Sequence, residues 1–155
     1  MDSNKKEKRY KRIFDQIEGL IKDNPWLEAS LATIAAILYH KMEYYFWTGF
    51  YLLRDGELIV GPYQGPLACI KLQKDTGVCW AGINQNKTLI VPDVHQFPDH
   101  IACDSRSRSE IVVPLKNLKN EIIGVLDVDS NHLDSFDDVD ARWLEEILSL
   151  TVKRN

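Results

Sequence analysis

Glu110-Ile111-Val112-Val113-Pro114-Leu115, the short and mostly polar stretch Lys116–Asn120, and Glu121-Ile122-Ile123-Gly124-Val125-Leu126-Asp127-Val128-Asp129-Ser130 form the segment on which the fold turns. Two apolar, β-branched runs of strand length, separated by a few residues, predict a neighbouring pair of strands. Side chains along a strand alternate faces, so Asp127 and Asp129 share one. Glu110, on the adjoining run, can add a third carboxylate to the same pocket. Carboxylates crowded in this way can hold an ammonium group, and one of them can stay protonated to serve as an acid. Strand ends also reach water and Asp is common in turns, so the acids alone do not define a site.

Upstream, Tyr45–Leu53 is aromatic and β-branched, and Asp55-Gly56 is a hairpin signal before Glu57–Val60. Trp47 and Tyr51 fall on one face and can line an apolar ligand pocket, whereas Phe46 and Phe50 default to the core. Two helices come first. Lys6–Lys22 places Ile13, Ile17, Leu20 and Ile21 at helical spacing, and Leu27–Lys41 carries Leu31, Ile34, Leu38 and Tyr39. A last helix is expected over Phe136–Lys153, capped by Ser135 or Asp137, with Val139, Trp143, Leu144, Ile147 and Leu150 turned inward. Helices, strands, an irregular middle with one short helix, strands and a helix make an α+β fold with a central antiparallel sheet. No repeat or Gly/Ser linker divides residues 1–155, which are expected to form one domain, large enough to be stable without disulfides or metal.

The 19 Lys and Arg against 23 Asp and Glu give a net charge of -4. That balance offers no general attraction to nucleic acid or anionic membrane. The basic cluster Lys5–Arg12 reads as the solvated first turns of a helix. No apolar run reaches the ~18 residues of a membrane span. The first residues lack the pattern of a signal peptide, so a cytoplasmic location with reduced thiols is expected.

Cys69, Cys79 and Cys103 are odd in number and widely spaced, which fits neither a disulfide framework nor a Cys-x-x-Cys motif. Cys103 lies in Leu89–Ser109, a long stretch with Pro92, Pro98 and histidines, and loops of that length are usually functional or disordered. A loop position gives a thiol the access that reactivity requires. Buried filler, a metal site and redox chemistry are the readings left open. His95, His100 and Cys103 match no recognised zinc spacing. Two cysteines that meet in space can act as attacker and resolver.

Several ordered segments together resemble the free methionine-(R)-sulfoxide reductases, single-domain members of the GAF fold. They are Trp47-Thr48-Gly49-Phe50-Tyr51-Leu52, Gly61-Pro62-Tyr63-Gln64-Gly65, Ala68-Cys69, Gly77-Val78-Cys79 and Pro92-Asp93-Val94-His95. His100-Ile101-Ala102-Cys103-Asp104, Ser109–Pro114 and Gly124–Asp129 continue the match through most of the chain. The resemblance implies that Cys103 is the catalytic thiolate, Cys69 its usual resolving partner and Cys79 a third cysteine able to join disulfide exchange. It implies an apolar wall of Trp47 and Tyr51, an acidic substrate-binding cluster of Glu110, Asp127 and Asp129, and backbone N–H groups around Ile101, Ala102 and Cys103 for the substrate carboxylate. Trp80 departs from the small residues, commonly Gly, that follow the third cysteine in the family.

The reaction so implied is thiol-dependent reduction of free L-methionine-(R)-sulfoxide through a Cys103 sulfenic acid, with thioredoxin as reductant. No metal or organic cofactor is required, and a homodimer is compatible with this reading. A GAF-type small-molecule sensor and a thiol redox switch are the alternatives, since a fold does not determine a function.

Overall fold

The computed structural model describes residues 1–100 and 103–152. Along the chain run α1 (Ser3–Ile21), α2 (Leu27–Lys41), β1 (Trp47–Arg54), β2 (Glu57–Gln64), β3 (Lys71–Leu72) and α3 (Gly77–Gln85). Then come β4 (Leu89–Val91), a 3-10 turn at Val94–Gln96, β5 (Ser109–Lys116), β6 (Ile122–Ser130) and α4 (Asp138–Ser149). The two runs around Asp127 pair antiparallel as β5 and β6, joined by a turn in which Asn117 Oδ1 accepts from the Lys119 and Glu121 N–H groups. The sheet order is β3-β2-β1-β6-β5-β4, with antiparallel pairing throughout.

Period-two alternation gives this sheet two different faces. One carries Phe50, Leu52, Ile111, Val113, Leu115, Leu126 and Val128 into a core with the buried stripes of α1, α2 and α4. Ile13, Ile17 and Ile21 supply the α1 stripe, while Leu31, Ile34 and Leu38 supply that of α2. Leu20, read from spacing as part of the first stripe, is 58% exposed because it lies outside the strip that α2 and α4 cover. The opposite face packs Trp47, Tyr51, Val112 and Val125 against Val78, Cys79 and Trp80 of α3.

The last helix begins at Asp138 with Asp137 as cap, whose carboxylate accepts from the Val139 and Asp140 N–H groups while Asp140 returns the bond to Asp137 N–H. This capping box satisfies donors that a helix start leaves free. It also fixes Asp140, and there the basic cluster departs from expectation. Lys6 is not solvated but 3% exposed, with its Nζ 2.5 Å from Asp140 Oδ2 and 3.1 Å from Asp137 Oδ2.

Within Leu89–Ser109 the described residues are more ordered than the prolines imply. Leu89, Ile90 and Val91 pair with Val112, Ile111 and Glu110 as the β4 edge, and Pro92 ends that strand by lacking an N–H. Asp93 then caps the 3-10 turn through His95 N–H. The later part is tied down by the Val94 N–H to Arg108 O and Arg108 N–H to Ser130 O hydrogen bonds. No helix among the described residues is long and apolar enough to cross a membrane.

Candidate active site

Strand register builds the site row by row. Trp47 of β1 stands opposite Asp129 of β6, and Asp129 opposite Glu110 of β5. In the next row Gly49, Asp127 and Val112 align, so the three carboxyls expected from alternation share the α3 face of the sheet. Gly49 is required by space: a Cβ there would meet Tyr63 Cβ at 2.3 Å and the Trp47 ring at 2.6 Å. Its missing side chain lets the indole lie flat, stacked on Tyr51 at 5.8 Å and on Tyr63 at 5.3 Å between centroids. Trp47 Nε1 donates to Pro66 O and Tyr51 Oη to Cys69 O, both at 3.0 Å. The aromatic wall is thereby joined to the loop that carries Cys69.

Cys103 lines a cavity of about 60 Å³ and is joined to Cys69, next to the lining residue Ala68, by a disulfide with Cα atoms 5.6 Å apart. Cys69 is half-buried and Cys103 exposed. The cavity runs inward between Trp47 and Tyr51 on one side and α3 on the other, and ends on Glu110, Asp127 and Asp129. Cys79, on α3, is a buried free thiol. Ile101 and Ala102, named from the sequence for substrate-carboxylate binding, lie outside the described residues. Trp80, the departure from the family pattern, is 4% exposed within the apolar layer and does not line the cavity.

Three acids with no cation beside them among the described residues have unusual electrostatics. Burial, then the charges of Asp127 and Asp129, pushes Glu110 well above its ordinary range. Burial, then Asp127, does the same to Asp129. Asp127 is raised by burial as well, while contacts from Glu110 and Cys79 pull it back. Protons are therefore held inside the cluster, chiefly on Glu110 and Asp129. Burial followed by the Asp127 and Glu110 charges drives the Cys79 thiol well up, which keeps it protonated and poorly nucleophilic. The Tyr51 hydroxyl is raised by burial and by Asp127.

Outside the floor, Asp104 is held down to about 2 by Arg106, whose guanidinium bonds both its carboxylate oxygens and lies 4.8 Å over the Phe46 ring. Sequence reading gave no site role to His100, Leu67 or Thr76, which also line the cavity. His100 sits partly buried, its Nε2 without a hydrogen-bond partner, and burial lowers its pKa. Its only signal was its nearness to Cys103, whereas Leu67 and Thr76 arrive through tertiary packing and carry no local mark.

An open antiparallel sheet with helices on both faces and a ligand-sized recess over β1, β5 and β6 defines a GAF domain, and the GAF-domain family model matches residues 28–152. The chain is 50% identical to GAF domain-containing protein A of Dictyostelium discoideum, over 94% of this chain and 91% of that protein. It is 45% identical to the free methionine-R-sulfoxide reductase of Escherichia coli K12, over 78% of this chain and 73% of that enzyme. The solved structure of the Neisseria meningitidis free methionine-R-sulfoxide reductase in complex with its substrate superimposes with a TM-score of 0.89 at 45% identity, covering 94% and 87% of the two chains. The chain belongs to the free methionine-R-sulfoxide reductase family of GAF-domain proteins.

Proposed function

We propose that this protein reduces free L-methionine-(R)-sulfoxide to L-methionine, using Cys103 as nucleophile and Cys69 as resolving thiol. The observation that carries the reading is the Cys69–Cys103 disulfide beside a recess lined by Cys103 and by Glu110, Asp127 and Asp129, the first two acids buried and the third half-buried. In the reduced enzyme the Cys103 thiolate attacks the sulfoxide sulfur. Glu110 or Asp129, both holding protons, donates to the sulfoxide oxygen as the sulfur–oxygen bond breaks. The hydroxide so released attacks Cys103 Sγ and breaks its bond to the methionine sulfur, so that methionine leaves as the thioether and Cys103 is left as the sulfenic acid. The Cys69 thiol then displaces water and closes the disulfide, a separation the 5.6 Å between Cα atoms allows. Two electrons from an external dithiol, with thioredoxin the reductant expected in the cytoplasm, return both thiols.

Asp127, the least displaced of the three carboxyls, faces the substrate's α-ammonium as the ionised partner. Such a floor favours the free amino acid, because methionine within a protein chain has no α-ammonium. Trp47 and Tyr51 take the methyl end against their rings. A neighbouring carboxylate disfavours a thiolate, and protonation of Glu110 and Asp129 limits that opposition. Cys79, buried and protonated, stays outside the disulfide cycle on this reading.

The test is methionine formation from the R and S epimers, with thioredoxin or dithiothreitol. Turnover of the R epimer alone is expected, and Cys103→Ser lowers it by at least about a thousandfold, as loss of a nucleophile does. No turnover with either reductant overturns the reading.

A further inference from the structure

We propose that Cys79, Glu110 and Asp127 form a binding site for a thiophilic divalent cation, for which Zn²⁺ is the best match, and that the ion competes with the substrate ammonium. The competition rests on the function proposed above; the binding does not. One ligand atom from each of the three residues lies within 4.8 Å of the other two, and all three residues are buried. Tetrahedral zinc with one sulfur and two oxygens needs ligand atoms about 3.6 Å apart, a separation that follows from Zn–S near 2.3 Å and Zn–O near 2.1 Å. Movement of about 1 Å in side chains bordering a cavity suffices.

A second observation points the same way. Asp127 is 6% exposed and lines the cavity, and its buried Oδ1 has no hydrogen-bond partner. An orphaned carboxylate oxygen inside a protein costs free energy that a cation recovers. The donor set selects the ion. A thiol with two carboxylates suits a borderline metal such as Zn²⁺, whereas Mg²⁺ and Ca²⁺ take oxygen alone. The cavity of about 60 Å³ has room for the ion and a water as its fourth ligand. On binding, the Cys79 thiol forms a Zn–S bond and loses its proton to solvent, as does the Glu110 carboxyl. No Cys-x-x-Cys or His spacing announces such a site, since its members come from α3, β5 and β6. The ion would act as an inhibitor in the substrate's own pocket, not as a cofactor.

The disulfide form allows a clean test, because with Cys69 and Cys103 bonded to each other Cys79 is the sole thiol. Co²⁺ titrated into this form is expected to give a near-ultraviolet thiolate-to-cobalt band that saturates at one metal per chain and is lost on adding Zn²⁺. Cys79→Ser should abolish the band, and Asp127→Asn or Glu110→Gln should weaken Co²⁺ at least about tenfold. No band in the unmodified protein, or a band that persists in folded Cys79→Ser, overturns the site. Free L-methionine-(R)-sulfoxide should bleach the band. If the protein turns over that sulfoxide but the sulfoxide leaves the band intact, the competition is wrong. If the band forms but no turnover is found, the reductase reading fails and the metal site stands.

Discussion

Two sets of buried carboxyls lie on opposite sides of one sheet, and they are treated in opposite ways. On the helical side, Asp140 is 0% exposed and fully partnered. It receives Lys6 Nζ, the Tyr10 hydroxyl at 2.6 Å, the Tyr44 hydroxyl and the Asp137 N–H. On the α3 side, Glu110, Asp127 and Asp129 have no cation beside them among the described residues, and Asp127 Oδ1 has no hydrogen-bond partner there. A charge-bearing group buried with partners locks the packing around it, here α1 on α4. A set buried without a counter-charge is held at a cost, and its protons and open lone pairs remain available to whatever enters. The contrast separates the part of the molecule that maintains the fold from the part that awaits a ligand.

The comparison can be broken from either side. Lys6→Met removes the cation from Asp140 and is expected to lower unfolding free energy by about 3–5 kcal/mol in a denaturant titration. Methionine formation per folded molecule should be unaltered, because Lys6 lies on the other side of the sheet; an equal fall in both would erase the distinction. Asp127→Asn reverses the pattern. It should lower kcat/KM for the free amino acid about a hundredfold, roughly 2.7 kcal/mol of transition-state binding, with no loss of stability at neutral pH.

A smaller effect comes from pH. The carboxyls of Glu110, Asp127 and Asp129 are raised in the folded state above their ordinary 4.5, 3.8 and 3.8. The folded protein thus binds more protons than the unfolded chain in that window, and stability falls as pH rises through the raised values. The loss should begin above those ordinary values and continue until the three carboxyls have ionised in the folded protein. The double change Glu110→Gln with Asp129→Asn should flatten that limb. Asp137, lowered against the pull of its own burial by Lys6, contributes with the opposite sign and loses its contribution as pH falls below its ordinary 3.8. The smallest change expected is at the rim, where Arg106→Gln should let the Asp104 carboxyl rise from about 2 toward 3.8 in an NMR titration.

Much of this was legible before any coordinates. The 27–41 helix matches its expected bounds, and the Asp55-Gly56 hairpin and the β5–β6 pair follow from turn chemistry and period-two alternation. Alternation likewise placed Trp47 with Tyr51, and Asp127 with Asp129, because a strand's geometry ties residue parity to face. β4 escaped because a three-residue apolar run beside Pro92 is too short to be told from a loop. Lys6 escaped because its partner is 134 residues away. A basic cluster looks solvated until a distant carboxylate is brought to it.

What the sequence by itself determined is the kind of local structure and the parity of the site residues, both set by rules acting over a few neighbours. The spacing of the three cysteines says nothing about which two touch; the Cys69–Cys103 pairing was expected only through the family resemblance, and the disulfide agrees with it. Only the tertiary structure put that pair within bonding distance and left Cys79 beside Glu110 and Asp127. The physical reason is that pairing, burial and electrostatic environment depend on how β2–β3, α3 and the loop before β5 converge on one sheet face. That convergence is decided by long-range packing, which no window of sequence contains.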